Sequence, residues 1–285
     1  MKILVSKRGG YCYGVQRALK IAHQAALASD GPVHTLGPII HNPGVVKELA
    51  AAGVSCVETL AGAAGTIIFR THGVTPQVAA DAEARGLRVV DATCPYVKVA
   101  QQKASSFKEQ GYLPVVLGEH EHPEVVALIA NAGAGAVVVE KAEELDLARV
   151  HGKRVGVVVQ TTQASANLSA LVGRLSPACR ELLVYNTMCN ATQKCQEEAL
   201  GLARRADAVI VIGGRNSANT TRLAKLCREV QARTFHIEEV GELEAGWFEE
   251  AGTVAITAGA STPPEQMEAA KLQITNFERQ TNNGR

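Results

Sequence analysis

Three cysteines of this chain, Cys12, Cys94 and Cys189, share one local context. Each stands just before a stretch of helical character: Cys12 before Gly14-Val15, Cys94 before Pro95, and Cys189 before Asn190-Ala191-Thr192. Proline is favoured at the first position of a helix. A helix N-terminus lowers a thiol's pKa, because its N–H groups and dipole favour the thiolate. The thiolate is the form that binds metal, and three of them would make a trigonal ligand set. Structural zinc favours close pairs such as C-x2-C, which this spacing does not offer. Soft thiolates drawn from distant parts of a chain suit an iron–sulfur cluster instead. A cubane held by three cysteines leaves one iron open to substrate. The competing reading keeps all three as small buried hydrophobes. The sequence holds four more cysteines. Cys56, Cys179 and Cys227 read as structural, and Cys195 sits in the helix after Cys189.

Polar clusters follow the apolar runs. They are Arg70-Thr-His-Gly, Asp91-Ala-Thr-Cys-Pro, Gly118-Glu-His-Glu-His-Pro-Glu, Gln160-Thr-Thr, Gly213-Gly-Arg-Asn-Ser-Ala-Asn and Ala258-Gly-Ala-Ser. In open α/β sheets, ligands bind beyond the carboxyl ends of the strands. Any one cluster reads as an ordinary turn with a helix cap. Together, with His, Cys and Glu among them, they read as one site.

The elements that must position these groups alternate. Short Val- and Ile-rich runs lie at residues 3–5, 66–69, 87–90, 114–117, 136–139, 155–159, 208–212 and 253–257. Continuous apolar runs of this length are what buried parallel strands require. Helical patterns fall between many of them, at 15–27, 95–110, 167–175, 192–205 and 217–230. The alternation predicts an α/β protein with mostly parallel sheets. The spacing divides it into three similar lobes, 1–94 (with the N-terminal strand and Cys12), 95–187 and 188–277, and a frayed polar tail, 278–285.

Composition narrows the function classes. The 285 residues are enough for two or three compact lobes. Basic and acidic residues number 29 and 28, with no basic arm or stripe, which argues against nucleic acid as a partner. Aromatic residues are 4%, too few for base stacking. No stretch reaches the roughly 18 continuous apolar residues of a membrane span, and the first residues do not read as a signal peptide. The expected location is the cytoplasm. Seven cysteines, an odd number, point there to reduced thiols.

These residues fall into a known pattern. The chain resembles the 4-hydroxy-3-methylbut-2-enyl diphosphate reductases, which end the methylerythritol phosphate route to isoprenoids. The resemblance rests on Cys12-Tyr-Gly-Val15, Leu36-Gly-Pro-Ile-Ile-His-Asn42, His72-Gly-Val74, Asp91-Ala-Thr-Cys-Pro95, His122-Pro-Glu-Val125, Gln160-Thr-Thr162, Cys189 before Ala191-Thr192, Gly213-Gly-Arg-Asn-Ser-Ala-Asn-Thr220 and Thr257-Ala-Gly-Ala-Ser261. It implies three α/β lobes in a trefoil around a central [4Fe–4S] cluster held by Cys12, Cys94 and Cys189. It assigns the substrate diphosphate to His41, His72, His122, Ser217, Asn219 and Ser261, and Asn216, Ala218 and Thr162 fall beside them. Hydroxyl and amide groups at a helix start make an anion site. Glu124 becomes the proton source, and Thr161 the residue that orients the hydroxyl or relays the proton, with His122 beside them. The bland alternative for Glu124 is a carboxylate on a helix dipole.

The implied reaction is reductive dehydroxylation to isopentenyl and dimethylallyl diphosphate. Electrons would come from ferredoxin or flavodoxin, since Gly213-Gly-Arg-Asn is not a dinucleotide fingerprint. Four positions depart from the family's commoner residues: Tyr11, Thr71, Ala127, and Cys195 in place of an arginine. A rival reading keeps the cluster in a redox or oxygen sensor without turnover. A second rival is a zinc-bound or metal-free diphosphate-binding protein.

Overall fold

The computed structural model describes residues 1–283. Its strands are β1 (Lys2–Val5), β2 (Val33–Leu36), β3 (Val54–Val57), β4 (Thr66–Phe69), β5 (Arg88–Asp91), β6 (Leu113–Leu117), β7 (Val137–Val139), β8 (Arg154–Val159), β9 (Glu181–Val184), β10 (Ala208–Ile212), β11 (Thr234–Ile237) and β12 (Thr253–Ala258). Its α-helices are α1 (Tyr13–Ala28), α2 (Pro43–Ala51), α3 (Pro76–Ala84), α4 (Pro95–Glu109), α5 (Pro123–Ala132), α6 (Leu147–Val150), α7 (Ser165–Leu175), α8 (Asn190–Ala203), α9 (Ala218–Val230) and α10 (Pro264–Asn283).

The strands form three four-stranded parallel sheets, β3-β2-β4-β5, β7-β6-β8-β9 and β11-β10-β12-β1. The α/β class expected from the alternating pattern is what the chain adopts. The central strands β4 and β10 are buried along their whole length, so both faces must be apolar. Four strands carried no such run in the sequence. In β2, His34 and Thr35 interrupt the pattern; in β3, Ser55 and Cys56; in β9, Glu181; in β11, Thr234 and His236. Three of these four lie at sheet edges, where one side has no strand neighbour and polar residues are tolerated.

All three sheets share one order: second strand, first, third, fourth. In the last sheet the fourth place is taken by β1, with Ile3 in register with Val254 and Val5 with Ile256. The N-terminal strand therefore does not belong to the first lobe, where the sequence reading put it. The reason is local. After β12 the chain enters α10 and offers no further strand, so the open edge of β12 is closed by the chain's first residues. Ile3 and Val5 then pack on the apolar cluster that includes Val254, Ile256 and Ile274.

The chain gathers into two compact units. One holds Met1–Tyr13, His41–Pro43 and the residues from Asn190 onward, and carries the sheet with β1. The other holds Gly14–Ile40 and Gly44–Cys189, and carries the other two sheets. The tail expected at 278–285 is helical as far as Asn283, and only Gly284 and Arg285 lie outside the described residues. Phe277 stacks on Phe248 and Glu278 pairs with the Met1 ammonium, which anchors those last turns.

The β6–β9 sheet is packed without slack on the face that meets α4. Phe107 of α4 is fully buried, and a Cβ added at Gly156 of β8 would lie 2.4 Å from its ring. Gly156→Ala is expected to destabilise the protein by about 1–3 kcal/mol through overpacking. Gly173→Ala, at an open position of α7, is expected to stabilise it by about 0.5–1 kcal/mol. Denaturant midpoints of the two variants check both signs.

Candidate active site

Each of the three cysteines follows the fourth strand of a sheet and directly precedes a helix: Cys94 after β5, Cys189 after β9 and Cys12 after β1. Each is fixed by the same backbone bond. The N–H of Cys94 donates to Thr71 O at 3.0 Å, that of Cys189 to Thr161 O at 2.8 Å, and that of Cys12 to Ala260 O at 3.2 Å. The three acceptors lie in the loops that follow the third strands β4, β8 and β12. None of the chain's cysteines is in a disulfide. Cys94 is the N-cap of α4, and its side chain makes no capping bond. The first turns of α1, α4 and α8 contain no acidic residue, although carboxylates are favoured at helix N-termini. Those first turns therefore set no carboxylate of their own against the helix dipole. Asp91 shapes the turn into Cys94, accepting from Thr93 N at 2.8 Å and pairing with Lys98 at 2.6 Å. Burial works to raise its carboxyl pKa, but the bonds to Lys98 and Thr93 outweigh that and hold it below the usual range.

In the unit carrying β2–β9, the loops after β6 and β8 meet. Glu124, in the first turn of α5, is 1% exposed. Its Oε1 accepts from Thr161 N at 2.6 Å and its Oε2 from Thr161 Oγ1 at 2.8 Å. Thr161 thus holds Glu124 with its N–H and hydroxyl, and Cys189 with its carbonyl. His122 caps α5: its Nδ1 accepts from Glu124 N at 3.2 Å. A neutral imidazole with Nδ1 accepting carries its proton on Nε2, so its outward nitrogen is a donor. His72 stands edge-on to it, with ring centroids 5.2 Å apart. The turn bearing His72 is held by Thr71, whose Oγ1 donates to Ile39 O at 3.0 Å. Gln160, fully buried, accepts from Glu119 N at 3.0 Å and donates to Thr162 Oγ1 at 3.3 Å. It ties Thr162 to the loop that leads to His122. The sequence reading did not single it out.

In the unit carrying β10–β12, the loops after β10 and β12 meet. Ser217 caps α9, and its Oγ accepts from Thr220 N at 3.4 Å. Ala218 and Asn219 open that helix, with Asn216 just before. Gly213 has φ +139, and a Cβ there would lie 2.5 Å from Thr262 Oγ1. A Cβ at Gly259 would lie 1.9 Å from Thr220 Oγ1, so the loop after β12 approaches the first turn of α9 too closely for any side chain at that position. Ser261 Oγ donates to His41 O at 3.5 Å, and Asn42 Nδ2 donates to Ser261 O at 3.0 Å. Asn42 was also not singled out from sequence.

The remaining histidines and cysteines stand in other settings. His34 Nδ1 lies 2.6 Å from Ser55 Oγ, and His23 Nε2 lies 3.6 Å from Glu48. His120 and His151 are exposed. His236 props the Gly213 carbonyl at 2.8 Å, and burial lowers its pKa. Cys195 packs in a core with Ala199, Val211 and Cys227, with its Sγ 3.8 Å from Ala258 O.

Comparison with known proteins agrees across the whole chain. The family model described as LytB protein matches residues 3–275. The 4-hydroxy-3-methylbut-2-enyl diphosphate reductase of Pelobacter propionicus is 47% identical over 264 residues, covering 92% of this chain and 94% of the relative. That of Geobacter sulfurreducens is 46% identical over 280 residues, 98% of each. A solved structure of (E)-4-hydroxy-3-methyl-but-2-enyl diphosphate reductase, described as the terminal enzyme of the non-mevalonate pathway, aligns with a TM-score of 0.71 at 39% identity, covering 97% of this chain and 100% of its own. The E-1-hydroxy-2-methyl-but-2-enyl-4-diphosphate reductase of Plasmodium falciparum shares the fold, with a TM-score of 0.88 at 24% identity over 96% of this chain and 88% of its own.

The cysteines divide by burial: Cys195 and Cys227 lie in the core, whereas Cys56 is exposed, although partial burial raises its thiol pKa too. Burial pushes the Cys195 thiol up to about 12, with Glu198, Cys227 and Cys12 acting in the same direction; burial pushes Cys227 to about 11. Only the thiolate is alkylated, and at about pH 8 a thiol of that pKa is ionised to roughly one part in ten thousand. Iodoacetamide at that pH is expected to modify the exposed Cys56 and to leave Cys195 and Cys227 intact until the protein is unfolded. Peptide mapping by mass spectrometry reads this directly. Equal labelling of Cys195 and Cys56 in the folded protein would contradict the burial argument.

Proposed function

The chain belongs to the LytB protein family, and from that premise we infer that it is a 4-hydroxy-3-methylbut-2-enyl diphosphate reductase. It is an oxidoreductase of isoprenoid precursor synthesis. It converts (E)-4-hydroxy-3-methylbut-2-enyl diphosphate to isopentenyl and dimethylallyl diphosphate, the last step of the methylerythritol phosphate pathway. The step consumes two electrons and two protons: the C–O bond to the hydroxyl breaks, a C–H bond forms, and the oxygen leaves as water.

Thr161 is the observation that carries this reading at the site. Its N–H and hydroxyl hold the buried carboxyl of Glu124, and its carbonyl holds the backbone of Cys189. One residue thereby ties an acid to a thiol ligand. Glu124 holds the proton destined for the departing hydroxyl, and Thr161 Oγ1, 2.8 Å from Oε2, orients that hydroxyl or relays the proton. His41, His72, His122, Ser217, Asn219 and Ser261 receive the diphosphate, with Thr162, Asn216 and Ala218 beside them. The Nε2 proton implied for His122 and the capped start of α9 both suit an anion.

Cys12, Cys94 and Cys189 would hold a [4Fe–4S] cluster. The donor set fits, since three thiols outside disulfides each precede a helix whose first turn lacks acids. When bound, such a cluster supplies one-electron reduction. The electrons come from ferredoxin or flavodoxin. The compartment is the cytoplasm, where thiols are kept reduced. No helix among the described residues is long and apolar enough to cross a membrane.

Anaerobic purification, iron and sulfide assay, and turnover with a reduced viologen dye test the whole reading. A brown protein that releases both diphosphate products supports it. A brown protein without turnover points to a sensor, and a colourless one that takes up no cluster removes the cysteine assignment. Glu124→Gln is expected to lower turnover on the order of 10²–10³-fold while iron content and the visible spectrum stay unchanged. Turnover near the native rate would take Glu124 out of the acid role.

A further inference from the structure

Asn42 stands immediately before α2 and is 6% exposed. Its segment, His41–Pro43, is grouped with the unit of β10–β12, whereas the chain up to Ile40 and from Gly44 is grouped with the other unit. The Asn42 side chain ties this short segment to the loop after β12. Its Nδ2 donates to Ser261 O at 3.0 Å, a buried bond between residues 219 apart in sequence. In return, Ser261 Oγ donates to His41 O at 3.5 Å. The two bonds run in opposite directions between His41-Asn42 and Ser261 and close a small ring.

The far side of that ring is rigid. Gly259 N and Thr262 Oγ1 both donate to Ile212 O at 2.9 Å, and Thr262 N donates to Gly259 O at 3.1 Å. The neighbouring carbonyl of Ala260 accepts from Cys12 N at 3.2 Å. The Gly214 turn abuts the ring as well: a Cβ there would lie 2.8 Å from His41 O. His41, Ser261 and the Gly214 turn therefore lie together, and the Asn42 amide and the Ser261 hydroxyl fasten the His41 segment to the loop after β12.

We propose that Asn42 is a positioning residue that sets His41 in register with Ser261 for the diphosphate. It acts on the substrate only through those two groups. The proposal rests on the assignment of His41 and Ser261 made above. An amide is required because the partner is a carbonyl: it supplies a donor in a buried place where an aspartate would set one acceptor against another.

The test compares Asn42→Asp, which keeps shape and loses the donor, with Asn42→Ala, which loses the donor without adding charge. Inorganic diphosphate serves as the probe, measured as a competitive inhibitor of the cluster-loaded enzyme. Both variants are expected to bind it about tenfold more weakly than the native enzyme, with a matching rise in KM. Asn42→Asp should fall further than Asn42→Ala, because it adds an anion beside an anion site. The value of kcat should stay within about twofold, since Glu124 and Thr161 are untouched, and the visible spectrum should not change. Diphosphate affinity unchanged in both variants would overturn the proposal, as would a fall in kcat at constant KM. Should Asn42→Asp fail to accumulate in folded form, Asn42→Ala carries the comparison alone. A native enzyme that neither binds diphosphate nor turns over the substrate would instead sink the functional assignment itself.

Discussion

The site depends on a backbone bond made three times over. Every cysteine of the trio donates its N–H to a carbonyl in the loop beyond the third strand of its sheet: Thr71, Thr161 or Ala260. At Cys94 and Cys189 the bond continues the pairing between strands past the end of the sheet, whereas at Cys12 it closes a longer loop that follows Ser6 N to Ile256 O. It therefore costs the fold little, and it places a thiol at a defined height above the strand ends. The residue after each acceptor is His72, Thr162 or Ser261. Fixing the cysteine thus fixes a group assigned to the substrate in the same motion. The identical strand order of the three sheets is what allows one bond to serve three times.

A second constraint falls on the loops after the first strands. Each leaves its strand through a glycine, Gly37, Gly118 or Gly213, and four residues on carries His41, His122 or Ser217. Two of these, His122 and Ser217, are N-caps, so satisfying a helix's unpaired N–H groups also aims a polar side chain at the strand ends. Burying Glu124 is eased because both its oxygens are bonded to Thr161. The acid and its partner are positioned by each other. The close approach of Gly259 to Thr220 plays the corresponding part in the other unit, where sterics rather than a carboxylate lock a loop against the first turn of α9.

Much of this was legible beforehand, for identifiable reasons. Strands buried on both faces must be continuous apolar runs, so β4, β8, β10 and β12 announced themselves. The edge strands β3, β9 and β11 did not, because one free side tolerates Ser55, Glu181 or His236. Cys94 was marked by Pro95, since proline signals a helix start, whereas Glu124 came only from the resemblance carried by His122-Pro-Glu-Val125. Gln160 and Asn42 escaped because their work is bonding to distant residues. Gln160 does reach Glu119, but 41 positions away, and Asn42 reaches Ser261 across 219.

The sequence by itself determined the α/β class, the helix starts that follow Cys12, Cys94 and Cys189 and the residue types that chemistry requires, because hydrophobic period, proline and glycine act within a few residues. The resemblance to a reductase family lay in the same short motifs. Tertiary structure alone decided the partnerships. It put β1 beside β12 rather than in the first lobe, because an unpaired sheet edge takes whichever strand geometry brings to it. It continued α10 to Asn283, because Phe277 found Phe248. It also made Thr161 the common partner of Glu124 and Cys189, a choice set by where two strands end in space, which no local pattern encodes.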